Sequence, residues 1–186
     1  MSTRELLSRD DHLSALLVID VINHFAFHDG RKLLSQARTM AKALSDLLET
    51  CRSINVPVIY VNDNFGDWRC TFDDLIARCE QSKTVKSFVA ALRPDSTSYY
   101  ILKPMHSGFY QTSLEVLLRA LGVKNLILSG LATDYCIEFT AKDAFMRNYG
   151  LYVPEDCSVA IQSTFHKRSI QYMARVLDAS TERWAT

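Results

Sequence analysis

The sequence predicts a single three-layer α/β/α domain, with a mostly parallel central sheet covered by helices on both faces. Three observations predict it. Short apolar runs alternate with longer helix-like segments along the whole chain, the order expected of repeated strand–helix–strand units. Several runs, at 14–20, 57–62 and 124–129, are apolar end to end rather than alternating, as strands buried on both faces must be. The chain has 186 residues, 48% of them hydrophobic and 23% charged, which suits one hydrophobic core and a charged surface.

Taken in order, residues 1–13 are polar and of mixed charge and read as an N-terminal extension. A first strand covers 14–20, and a helix covers 32–52 with Leu33, Leu34, Ala37, Met40, Ala41, Leu44, Leu47 and Leu48 at three- and four-residue spacings. The second strand, 57–62, is entered through Pro57, which has no amide proton to give to the ladder. Residues 63–80 read as a loop with at most one helical turn, followed by a short helix at 82–92. The third strand, 98–103, stops at Pro104. Thr112 with Glu115 three residues on suggests a capping box for a helix ended by Gly122. A fourth strand at 124–129, a helix from Thr133 to Asn148, a fifth strand beginning at 151–154 and a last helix over 163–178 complete the chain.

Lysine plus arginine equals aspartate plus glutamate at 21 each, so no overall positive charge invites nucleic acid or an anionic membrane. The apolar stretch at 15–19 is too short for a signal-peptide core or a membrane span, so a cytoplasmic protein acting on a small molecule is expected. The five cysteines, Cys51, Cys70, Cys79, Cys136 and Cys157, form no CxxC pair and are expected to be free thiols. The histidines (His12, His24, His28, His106 and His166) make no recognisable ligand set, so no metal and no cofactor is expected.

In a parallel sheet the ligand crevice lies beyond the carboxyl ends of the strands, and three reactive side chains fall there. Asp20 ends the first strand and Lys103 the third, while Cys136 follows the fourth at the start of a helix. Each alone also fits a structural role: a turn residue, a solvated strand end, a core thiol. Together they make a plausible nucleophilic site. A free thiol titrates near 8.5, and lowering that value by two units takes roughly 2.7 kcal/mol. Lys103 and the N-terminus of a helix capped by Thr133 are the expected sources of that stabilisation. Asp20 would accept the thiol proton and later return it to a leaving amine.

At these same residues the chain resembles the isochorismatase-like cysteine hydrolases, which include nicotinamidases and N-carbamoylsarcosine amidohydrolase. Asp20-Val-Ile-Asn23-His-Phe25 resembles the family's D-x-x-N-x-F opening, and the segment from Lys103 to Leu114 resembles its K-x-x-x-S-x-F-x-x-T-x-L pattern. Gly130-Leu-Ala-Thr133-Asp-Tyr-Cys136-Ile, followed by Thr140-Ala-Lys-Asp143-Ala, is similar to its nucleophile turn. The resemblance implies a Rossmann-like sheet and a catalytic triad of Asp20, Lys103 and Cys136. It implies a cis peptide at Leu131–Ala132 and an oxyanion hole formed by the N–H groups of Ala132 and Cys136. Family members are commonly dimers or tetramers, so a homo-oligomer is expected by analogy.

Nicotinamidases carry metal-binding histidines after the second strand, where this chain has Asp63-Asn-Phe-Gly-Asp-Trp68 and no histidine. Cys136 favours amide, ureide or carbamoyl chemistry over vinyl-ether cleavage. Phe25, Asn64, Trp68 and Tyr135 are the expected pocket residues. The competing readings are a thiol-dependent esterase, a catalytically silent binding or scaffold domain, and a redox-sensing thiol protein with Cys70 or Cys157 as resolving partner.

Overall fold

The computed structural model describes residues 1–8 and 13–185. His12 and most of the segment linking the N-terminus to the first strand lie outside those residues. The described elements are α1 (Thr3–Leu7), β1 (Ser14–Ile19), α2 (Gly30–Ser53), β2 (Val58–Asp63), α3 (Phe72–Glu80), α4 (Lys86–Ala91), β3 (Tyr99–Lys103), α5 (Leu114–Ala120), β4 (Asn125–Leu131), a π-helical turn (Thr133–Ile137), α6 (Glu138–Phe145), β5 (Gly150–Tyr152), a 3₁₀ turn (Glu155–Cys157), β6 (Ser158–Val159) and α7 (Ser163–Val176).

The sheet runs β3-β2-β1-β4-β5, with β6 also pairing β4, and the pairings are parallel. The continuous apolar run of β1 is explained by its central place. Leu16, Val18, Val58 and Tyr60 face a core shared with α1, α2, α3 and α4. Their neighbours Leu17, Ile19, Ile59 and Val61 face a second core built with α5, α6 and α7. Side chains alternate across a strand, so two helical layers require apolar residues at every position of β1. The three-layer architecture follows directly from that requirement.

Several elements differ from the sequence reading. The N-terminal residues include a helix, α1, whose Leu6 and Leu7 are buried against the first core, and Ser2 and Glu5 form a capping box around it. Residues 72–80 are a helix, not a loop. Thr71 accepts from the Asp74 amide and the Asp74 carboxylate answers the Thr71 amide, so an Asp does the work usually given to Glu. The Thr112–Glu115 capping box does not form. Ser113 precedes the helix, the Thr112 hydroxyl accepts from Leu114 N–H at 3.2 Å, and Glu115 pairs with Arg119 and Arg147. Gly150 opens β5, and Asn148, at φ 62°, takes the left-handed position where the chain turns. The fifth strand is interrupted, so that β5 and β6 pair with successive parts of β4.

Two local devices shape the end of the sheet. Gly130 sits at φ 108°, paired with Ile19, and a Cβ there would lie 2.1 Å from the Ile19 carbonyl oxygen. Asp20 follows β1 in the left-handed region, at φ 53°, with its N–H still donating to Val61 O. Buried Asn62 clamps the next residues, donating to Ile22 O at 2.8 Å and accepting from Ile22 N–H. These contacts turn the chain off the strand while keeping Asp20 at the sheet's edge.

Candidate active site

The carboxyl ends of β1, β3 and β4 bring Asp20, Lys103 and Cys136 together. Lys103 is fully buried, and its Nζ lies 2.9 Å from an Asp20 carboxylate oxygen and 3.4 Å from Cys136 Sγ. The Asp20 carboxylate also hydrogen-bonds the thiol, and its other oxygen accepts from the Asp63 N–H at 2.7 Å. Asp63 is a fourth member that the sequence reading left out. It ends β2, and its carboxylate is 3.5 Å from Lys103 Nζ. The strand-end rule that selected Asp20 and Lys103 applies equally to Asp63.

Electrostatics in the group differ from the sequence expectation. Burial pushes the Cys136 thiol up, the Asp20 charge adds to this, and Lys103 offsets only part. A thiol depressed by Lys103 and a helix end is therefore not what this environment produces. Burial also raises Asp20, against the opposing pull of Lys103, which makes it a stronger proton acceptor than an ordinary carboxylate. Burial works against the Lys103 ammonium, but Asp20, Cys136 and Asp63 together more than restore it and hold the amine above the usual lysine range.

Cys136 rides on a wide turn. Ala132, not Thr133, is the N-cap, and its carbonyl accepts from Tyr135 N–H at 3.0 Å and from Ile137 N–H at 3.2 Å. The second of these spans five residues and makes the turn π-helical. Thr133, fully buried, hydrogen-bonds Ser158 and His166 and so ties the turn to β6 and α7. No cis peptide occurs among the described residues, so Leu131–Ala132 is trans, contrary to expectation. Gly130, at φ 108°, lies within β4, and the chain stays extended through Ala132, at φ −93° and ψ 148°.

Above the thiol opens a cavity of about 550 Å³, lined in part by Asp20, Asp63, His106, Ala132, Tyr135 and Cys136. Of the four expected pocket residues only Tyr135 lines it. Phe25 is buried, edge-on to Phe88. Asn64 is buried and uses its side-chain oxygen to accept from Gly66 N–H in a turn. Trp68 is 81% exposed and lies outside the lining. Phe27 and Phe65 take the aromatic places instead.

His106, also not anticipated, has its Nδ1 3.9 Å from Cys136 Sγ and its ring beside Tyr135 and Phe139. The loop carrying it is pinned to α6. Gly108 N–H donates to the Thr140 hydroxyl, and Ser107 donates to the Asp143 carboxylate. Two other histidines have local partners: His24 Nδ1 accepts from Ala26 N–H, and His28 pairs with Asp29. The cysteines are all free and buried.

A family model described as the isochorismatase domain matches residues 14–182. The chain belongs to the isochorismatase family. As an isochorismatase-family hydrolase it is 33% identical to an uncharacterized isochorismatase family protein, YaaI, of Bacillus subtilis, over 89% of this chain and 91% of that one. It is 29% identical to the ureidoacrylate amidohydrolase RutB of Caulobacter vibrioides, over 83% of this chain and 80% of the relative. The crystal structure of N-carbamoylsarcosine amidase from Thermoplasma acidophilum superposes with a TM-score of 0.73 at 31% identity, covering 93% of this chain and 97% of that one. The matched span begins at β1, so α1 is outside it. Among the described residues, no helix of this family member is long and apolar enough to cross a membrane.

Proposed function

We propose that the protein is a cysteine hydrolase that cleaves a small-molecule C–N bond, in an amide, ureide or carbamoyl group, through a thioester on Cys136. The observation that carries this reading is the buried contact of Lys103 with both Asp20, at 2.9 Å, and Cys136 Sγ, at 3.4 Å, on the floor of an open cavity. The names of the RutB and N-carbamoylsarcosine relatives, an amidohydrolase and an amidase, support the choice of C–N chemistry.

The resting thiol is protonated, so attack begins with proton transfer. Asp20 takes the thiol proton as Sγ adds to the carbonyl carbon, and Lys103 holds the carboxylate and stabilises the developing thiolate. Ala132 and Cys136 both line the cavity, and their N–H groups are assigned the negative charge that forms on the carbonyl oxygen. Collapse of the tetrahedral species breaks the C–N bond, and Asp20 returns its proton to the leaving nitrogen. Water then adds to the thioester, with Asp20 accepting one of its protons. The acid product leaves and the thiol re-forms.

Ammonia release from a panel of small amides and ureides, with matched esters alongside, tests the reading. Cys136→Ala and Asp20→Asn are each expected to lose at least about 10³-fold in kcat/KM with the fold retained. Undiminished turnover in Cys136→Ala would overturn it. A homo-oligomer is part of the same reading, and size-exclusion chromatography with light scattering decides it.

A further inference from the structure

Hydrolysis of a thioester needs a water held over the acyl carbon, and the structure narrows where that water can sit. From below, the nucleophile is closed: Lys103 is fully buried, 3.4 Å from Sγ. Water therefore reaches the sulfur from the cavity, whose wall includes both Cys136 and Asp20. Other polar side chains of that wall already have partners. Asn23 accepts from Phe25 N–H at 2.7 Å, Asp29 pairs with Lys32 and His28, and Asp63 accepts from Phe65 N–H and faces Lys103. His106 is different. Its one polar contact among the described residues runs from Nδ1 to Cys136 Sγ, 3.9 Å away, and the single proton of that thiol is already engaged by Asp20. The imidazole is nevertheless fixed. The next two residues, Ser107 and Gly108, hydrogen-bond Asp143 and Thr140 of α6, and the ring packs beside Tyr135 and Phe139 with centroids 5.5 and 5.3 Å apart.

We propose that His106 is a catalytic residue of thioester hydrolysis, accepting a hydrogen bond from the attacking water at Nδ1 while Asp20 takes that water's other proton. This rests on the hydrolase reading above and adds a residue to it. Acylation sends the thiol proton by way of Asp20 to the leaving nitrogen, which leaves the carboxylate an open position facing the sulfur. A water seated there gives one hydrogen to Asp20 and the other to Nδ1, an acceptor when the ring proton is on Nε2. Its lone pair is then free to point at the acyl group. With Nδ1 3.9 Å from Sγ, a carbonyl carbon carried on the sulfur falls within about 3–3.5 Å of that water. The water's O–H bond toward Asp20 breaks as its O–C bond forms, and the second hydrogen stays on the new hydroxyl. Collapse breaks the C–S bond and the Asp20 proton returns to Sγ. Attack on the amide itself uses the Asp20–Cys136 pair and needs no such acceptor. Packing against Tyr135 and Phe139 alone would ask only for a ring.

Para-nitrophenyl acetate separates the two steps. Nitrophenolate release with enzyme in excess reads acetylation of Cys136, and loss of the acetyl mass from the desalted protein reads its hydrolysis. His106→Phe keeps a ring and loses the acceptor, whereas His106→Asn can place an oxygen where Nδ1 stands. Deacetylation is expected to slow at least about tenfold in His106→Phe, with acetylation within about threefold of the wild type, and to recover most of that loss in His106→Asn. Unchanged deacetylation in His106→Phe, equal losses in the two steps, or no recovery in His106→Asn would overturn the proposal. A wild-type protein that takes no acetyl group on Cys136 would count against the hydrolase reading itself, and the proposal would fall with it.

Discussion

In the proposed mechanism Asp20 both receives the thiol proton and keeps the thiol from losing it too early. Its charge and its hydrogen bond each raise the Cys136 thiol, so removing the charge should lower it. The Asn side chain in Asp20→Asn still offers an oxygen to the Asp63 N–H, so the backbone contact survives. The variant is therefore expected to label faster with iodoacetamide at pH 8 than the wild type while turning over far more slowly. Lys103→Ala should shift labelling the opposite way, since the ammonium is what opposes burial. Slower labelling in Asp20→Asn would contradict this account of the charges. Asp20, Lys103 and Cys136 were legible in the sequence because strand ends of a parallel sheet converge by topology alone. Phe25, Asn64 and Trp68 were not, because pocket membership depends on the direction of each side chain after a turn. Phe25, at φ 54°, is turned inward onto Phe88, a contact that nothing in its neighbours encodes.

Among the elements, the turn from β4 into the π-helical segment carries the most constraint. Gly130→Ala would drive a Cβ to 2.1 Å from the Ile19 carbonyl oxygen at a φ that L residues rarely adopt. A loss of more than about 3 kcal/mol in urea unfolding is expected, or failure to fold, since the obstacle is backbone rather than a movable side chain. Thr71→Ala at the start of α3 is milder, with about 1 kcal/mol expected from the lost cap. An unchanged urea midpoint in either variant would show that the local geometry is less confining than described. Helix α3 was readable in principle: Phe72, Leu75, Ile76 and Cys79 lie on one face at helical spacing and are buried. Its short length and the Gly66 and Trp68 just before it hid the period. The π-helical turn left no such trace, because its extra residue is set by how Thr133 meets Ser158 and His166, residues distant in sequence.

For the whole molecule, the buried thiols tie stability to pH. Burial raises Cys51 to about 12 and Cys79 to about 11, and lifts Cys157 as well. Between the unfolded thiol value near 8.5 and those folded values, the native state binds more protons than the unfolded chain. Stability is then complete below about pH 8.5 and falls as pH rises, by at most about 1.4 kcal/mol per thiol for each unit. Tm should drop steadily from pH 8 to 10.5, and Cys51→Ala should flatten that slope. The layered architecture itself was legible because both sheet faces need apolar residues, and β1 has them at every position from Ala15 to Ile19. The most direct test of the central claim is rapid acid quench during turnover of an amide substrate, followed by peptide mass spectrometry. The account expects the substrate's acyl mass on the Cys136 peptide, absent from Cys51, Cys70, Cys79 and Cys157 and intercepted as a hydroxamate by hydroxylamine. Steady turnover with no adduct at Cys136, unaltered by hydroxylamine and retained in Cys136→Ala, would contradict it.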